Sequence, residues 1–270
     1  MVREKHALRA RALLGTARCP AAILAGFLVF IIPLVALAGP PFLTDDPVPV
    51  DLGLFETYVF TQWDNTPGSG STVAGPAVEF NWGFLPNLQF HVVAPFENAT
   101  VPGMPNAFGF SDTEIGIKYR FIPESATRPQ IGFFPMAEVA TGDAARNLGN
   151  GQTWYRLPIW IQKSYDDGKW TVDTGGGVAL NQAPGQRDYG FGGLLLQRSL
   201  GAGLTLGAEV YSEGATAIGA TPTTFYNVGA YINPSSQFSI LVSLGHSVAG
   251  ESHAIGYFGL YYTFPRPQTP

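Results

Sequence analysis

The chain has 270 residues, of which 46% are hydrophobic, 13% aromatic and only 13% charged, with a formal net charge of −5. Soluble domains carry about 25% charged residues, so this composition suits a chain with much of its surface away from water. Nucleic acid is excluded as a partner, because that binding rests on Lys and Arg neutralising phosphates, and five of the 15 basic residues fall within the first 18 positions (Arg3, Lys5, Arg9, Arg11, Arg18).

Those basic residues precede an apolar run from Ala21 to Ala38, which ends in the small-x-small pattern Ala36-Leu37-Ala38. Residues 1–38 therefore read as a secretory signal peptide. A retained helical anchor needs about 20 apolar residues, and Pro33 interrupts this run. Cys19, the single cysteine, lies inside the signal peptide, so the mature chain has no disulfide and no cysteine-based metal site. Residues 39–52 are expected to form a periplasmic leader beside the mouth of the domain that follows. Its Asp45-Asp46 pair could plug a lumen or bind calcium, although two carboxylates supply too few oxygens for calcium.

From residue 53 to residue 264 the apolar residues alternate, as in half-buried strands. The clearest segment is Asp112–Phe121: Thr113, Ile115, Ile117, Tyr119 and Phe121 share one face, and Asp112, Glu114, Gly116, Lys118 and Arg120 share the other. Val78, Phe80 and Trp82 oppose Glu79 and Asn81; Leu88, Phe90 and Val92 oppose Gln89 and His91. Ile131, Phe133, Ala137 and Val139 oppose Gly132, Met136 and Glu138, while Leu157, Ile159 and Ile161 oppose Arg156, Trp160, Gln162 and Lys163. Further on, Val172 and Val178 oppose Asp173 and Gly175, and Leu206, Ala208 and Val210 oppose Gly207 and Glu209. With the segments 53–62, 189–198, 224–232, 238–245 and 254–264, about twelve strands result. Long links (63–73, 98–110, 141–152, 182–188, 213–223, 247–253) alternate with short turns, as in a membrane barrel whose N-terminus is periplasmic.

A soluble sandwich alternates too, but it would need solvated outer faces and more than the three lysines that follow residue 38. The expected fold is an all-β, transmembrane, antiparallel up-and-down β-barrel in an outer membrane, with its bulky face in lipid and its polar face in a shared lumen. There Glu79, Glu114, Glu138, Asp173 and Glu209 can pair with Lys118, Arg120, Arg156, Lys163 and Arg198. Together with His91 and Trp160 these are the candidate lumen-lining residues. Residues 265–270 form a tail.

No cofactor, metal or catalytic residue is expected. The histidines after residue 38 are His91, His246 and His253, far apart in sequence. His246-Ser247 and Ser252-His253 lack the His-x-Ser spacing that sets both side chains on one strand face, as barrel lipid hydrolases use. Gly175-Gly176-Gly177 lies inside a strand rather than before a helix, so it is no phosphate cradle.

The segment Gly39-Pro40-Pro41-Phe42-Leu43-Thr44-Asp45-Asp46-Pro47 resembles the opening of the outer-membrane family named for a MetA pathway of phenol degradation. Asp112–Phe121, Thr141-Gly142-Asp143, Leu148-Gly149-Asn150-Gly151 and Leu206-Gly207-Ala208-Glu209 are similar to that family as well. The resemblance implies passive passage or binding of small, aromatic or apolar solutes, with membrane lipid as neighbour. The closing run Gly259–Phe264, aromatics two apart, resembles the strand signal that barrel-assembly machinery reads. A closed structural or adhesion barrel and an outer-membrane lipid hydrolase are the alternatives.

Overall fold

The structure, a computed structural model, describes residues 40–264; the expected signal peptide (residues 1–38) and tail (residues 265–270) lie outside the described residues. The first strands are β1 (Phe55–Thr66), β2 (Gly70–Leu85), β3 (Leu88–Thr100) and β4 (Ala107–Phe110). They are followed by β5 (Thr113–Ile122), β6 (Gln130–Phe133), β7 (Met136–Val139) and β8 (Trp154–Tyr165). The rest are β9 (Trp170–Leu180), β10 (Tyr189–Gly201), β11 (Leu204–Glu213), β12 (Thr223–Ile232), β13 (Phe238–Ala249) and β14 (Ala254–Phe264).

All pairings are antiparallel. Both β4 and β5 pair with β3, and both β6 and β7 lie between β5 and β8, so each of these pairs makes one stave and the barrel has twelve. Closure comes from β1 against β14, from Phe55 opposite Phe264 to Asn65 opposite Ala254. It leaves no open sheet edge, the condition for strands in lipid. The β6–β7 stave breaks at Phe134-Pro135, because proline has no N–H for the ladder. Even there the Phe134 N–H donates to Pro158 O at 3.1 Å, and Pro135 O accepts from the Ile117 N–H at 3.1 Å.

Exposure decides between barrel and sandwich. Ile159, Leu194, Val210 and Leu244 are 47–61% exposed on the outside, whereas inside Glu79, Lys118, Asp173 and Glu209 are at most 6% exposed. Buried charges and exposed large aliphatics invert the rule for water-soluble domains, and match a wall whose outer face meets hydrocarbon. Among the described residues no helix is long and apolar enough to cross a membrane.

The short turns lie at the end where β1 starts and β14 stops, here the turn end; the longer links lie at the loop end. The link expected over 63–73 is shorter than the sequence suggested. β1 and β2 stay paired out to Thr66 opposite Gly70, leaving Pro67-Gly68-Ser69 as the turn, closed by the Ser69 N–H on Thr66 O at 3.0 Å. The 139–154 link is instead tied down. The Asp112 carboxylate accepts the N–H of Gly142 at 2.9 Å and of Asn150 at 2.6 Å.

Candidate functional site

The lumen is occupied by the chain's own leader. Gly53 N–H donates to Gly83 O at 2.6 Å, and Gly83 N–H to Leu54 O at 3.1 Å, fixing the leader to the turn end of β2. From there the segment runs back into the barrel. Val50 N–H reaches Gln89 Oε1 at 2.8 Å, and the Lys118 ammonium holds Asp45 at 3.0 Å and Asp46 at 3.3 Å. Glu209, in the middle of β11, accepts two successive backbone N–H groups, Leu43 on Oε1 and Thr44 on Oε2, both at 2.8 Å, and Asn227 Nδ2 at 2.9 Å. Pro41 O accepts the Ser243 hydroxyl at 2.7 Å. Charge-assisted bonds of this kind are roughly twice as strong as neutral ones.

Phe42 joins a buried apolar cluster with Tyr58, Phe60, Leu195, Tyr231, Leu241, Tyr257 and Tyr261, its ring 5.9 Å from that of Tyr231. Inward glycines make the room. A Cβ on Gly207 would stand 2.4 Å from Phe42 Cζ, and one on Gly132 would stand 2.9 Å from Pro47 Cβ.

This corrects the expected position of residues 39–52 beside the barrel mouth: of the described residues 40–52, those from Pro41 to Val50 lie inside. The cause is the cost of burying charge without a partner. The inner wall carries a lysine, a glutamate and an apolar nest, and the leader supplies two carboxylates, two N–H groups and a phenyl ring.

Two further groups of lumen residues flank the leader. In a belt across five staves, Arg120 donates to Asn87 Oδ1 at 2.8 Å and to Gln130 Oε1 at 3.0 Å. Gln130 donates in turn to Gln162, while Gln162 and Gln197 each donate to the Asp173 carboxylate at 2.7 Å. The other group centres on His91, with Nδ1 2.7 Å from Asn81 Oδ1, Nε2 2.7 Å from Glu114 Oε1, and Glu79 at 3.5 Å. Glu138 sits opposite Glu114 in the ladder. Arg156 lies over the Phe191 ring at 4.9 Å and donates to Tyr211 Oη at 3.4 Å. Trp160, 1% exposed, packs with Phe134, Met136, Phe191, Tyr211 and Phe225.

Ten of the twelve candidate residues thus fall on the inner face: Glu79, His91, Glu114, Lys118, Arg120, Glu138, Arg156, Trp160, Asp173 and Glu209. Lys163 and Arg198 do not. Lys163 shares the outward parity of Ile159 and Ile161, and its Nζ reaches Glu124 at 2.7 Å beyond the strand end. Arg198 shares the parity of Leu194 and Leu196 and lies over Trp170 at 4.5 Å. Alternation does put Ser243 on the inner face, opposite Val242 and Leu244, but sequence reasoning missed Asn227, Gln130 and Gln197 as lumen residues, and Phe42 as their lodger. Its usable signal was glycine at inward positions, where a barrel filled only by its own wall would carry side chains.

At the loop end, His253 Nδ1 lies 3.0 Å from Asp64 Oδ1, and its Nε2 faces Glu251 at 3.7 Å rather than a serine. The Ser247 hydroxyl accepts the His253 backbone N–H at 2.9 Å, and His246 Nδ1 lies 2.8 Å from Ser247 O. The Thr66 hydroxyl lies 3.0 Å from His253 Nδ1 and donates to Asp64 Oδ1 at 3.3 Å. Among the described residues no group of three or more His, Cys, Asp or Glu side chains is placed to hold a metal ion.

No protein-family model matches the chain. No curated protein matches it in sequence. Solved structures match its fold. The KdgM porin is similar at a TM-score of 0.52 and 12% identity, over 77% of this chain and 99% of that one. The NanC porin is similar at 0.51 and 6% identity, over 76% of this chain and 98% of that one. An outer-membrane channel from Pseudomonas putida F1 is similar at 0.64 and 16% identity, over 81% of this chain and 98% of that one. The chain has the fold of the outer-membrane channels and porins.

Proposed function

We propose that this chain is an outer-membrane barrel for passive passage of small solutes, aromatic or apolar ones among them, and that residues 40–51 close its lumen at rest. The observation that carries the reading is the leader itself. It has no strand or helix hydrogen bonding of its own and is held by side chains of the wall, so it can leave without breaking the ladder. Twelve staves also make a lumen wider than the filled eight-stranded barrels and narrower than the sixteen-stranded porins, room for one extended chain or one small solute in its place. The aromatic inner wall around Tyr231, where Phe42 lodges, suits flat apolar solutes. Membership of the phenol-degradation family, and delivery by barrel-assembly machinery through the Gly259–Phe264 strand, belong to the same reading.

The test is conductance in planar bilayers and uptake by proteoliposomes, comparing the whole mature chain with one lacking residues 40–51. The whole chain should show low or flickering conductance, and the shortened chain a steady pore at least about tenfold more conductive. Equal silence from both would favour the closed structural barrel.

A further inference from the structure

The leader is held by the wall as a ligand would be. The Lys118 ammonium grips two carboxylates, the Glu209 carboxylate grips two adjacent N–H donors, and an aromatic nest grips a phenyl ring. Along the leader these three features follow in the order ring (Phe42), donors (Leu43 and Thr44), acid (Asp45 and Asp46). With the leader seated, Lys118 and Glu209 are at most 6% exposed; when it leaves, Lys118 loses two carboxylates and Glu209 loses two N–H donors, keeping only the Asn227 amide at 2.9 Å. Charge-assisted hydrogen bonds are roughly twice as strong as neutral ones. A solute that restores only the apolar contact leaves both charges unmet; one that restores all three replaces the leader at least cost.

We infer that the leader is an internal template of the solute. The solutes this barrel takes best are elongated aryl acids: an aromatic ring at one end, an amide or hydroxyl donor beside it, and a carboxylate at the other end. The inference rests on the passage reading above and names its substrate class. The ring replaces Phe42, the donor sits on Glu209 and the carboxylate on Lys118. Two residues, Leu43 and Thr44, lie between Phe42 and Asp45, a backbone span of at most about 10 Å, so the solute has the length of a few residues. A flexible molecule with these groups in this order fits; a bare hydrocarbon does not satisfy the charges.

The test uses the purified mature protein in detergent and three probes. N-Benzoylglycine carries ring, N–H and carboxylate; N-benzoylethanolamine replaces the acid with a hydroxyl; N-acetylglycine lacks the ring. By calorimetric titration N-benzoylglycine should bind at least about tenfold more tightly than either control, a difference of a magnitude charge-assisted bonds supply. Lys118→Gln should bring its advantage over N-benzoylethanolamine below about threefold. Leader displacement is read independently in Thr44→Cys, the mature chain having no other cysteine and Thr44 being fully buried. Labelling by a water-soluble maleimide should rise about fivefold or more with N-benzoylglycine and less than twofold with the controls. Equal binding of all three probes, or binding with no change in labelling, overturns the template. If it is overturned while the chain lacking residues 40–51 conducts, passage stands without it; if that chain is silent too, the passage reading has failed first.

Discussion

Glu209 shows how one inward side chain can set the state of a whole channel. Its two oxygens each take a backbone N–H of the leader at 2.8 Å, a geometry only a carboxylate offers to two donors in a row. In Glu209→Gln one oxygen becomes an NH2 that faces an N–H, so one bond is lost and two donors are set against each other. Hydrogen bonds to charged groups contribute about 1.5–3 kcal/mol, and about 1.4 kcal/mol is tenfold in an equilibrium. Maleimide labelling of Thr44→Cys should therefore be about tenfold or more faster in the Glu209→Gln background. Unchanged labelling would mean that this contact does not latch the leader. Alternation alone sends Glu209 and Lys118 inward, so that much was legible. The partners of Glu209 were not, because a bond to a backbone N–H leaves no mark on the sequence; those of Lys118, the Asp45-Asp46 pair, stand out as an acidic pair, but alternation does not say which lumen cation they meet. Lys163 misled for a related reason: it is polar, but its parity is that of Ile161, and at a strand end the wall no longer separates lipid from water.

At the scale of the strand, the two faces of β8 make opposite demands. Ile159 is 47% exposed outside and Trp160 is 1% exposed inside. In a membrane wall Ile159→Arg places a charge in hydrocarbon and should destabilise the barrel by about 2–4 kcal/mol. Urea unfolding in lipid vesicles, followed by tryptophan fluorescence, measures it. A solvated sheet face would give a change within about 0.5 kcal/mol, so a near-zero result would return these faces to water. Strand number and facing could be read because lipid imposes period 2 on every stave: in β5, Ile115 and Tyr119 face out and Gly116 and Lys118 face in. Element ends were less legible. The first hairpin runs on past the expected loop start, since Asn65 and Ser71 still pair where polar residues had suggested a loop. The break at Phe134-Pro135 was hidden, because Ile131–Val139 keeps its alternation across it.

For the molecule as a whole, the question is whether the leader is core or lodger. A core segment is one the wall cannot close without; a lodger occupies a wall already complete. The ladder is continuous through all twelve staves and through the β1–β14 closure without a hydrogen bond from Pro41–Val50, which favours the lodger. Gly207→Val separates the two. Its Cβ would stand 2.4 Å from Phe42 Cζ, so the variant cannot hold the leader as described, whereas with the leader gone it meets only the end of the Leu195 side chain, at 3.3 Å, and valine suits strand geometry. The expected result is a folded barrel, running as the compact heat-modifiable species on gels, with raised conductance and Thr44→Cys open to labelling. Failure to fold, in this variant and in the chain lacking residues 40–51 alike, would make the leader part of the core. Conductance would then have to run past it rather than through the space it leaves.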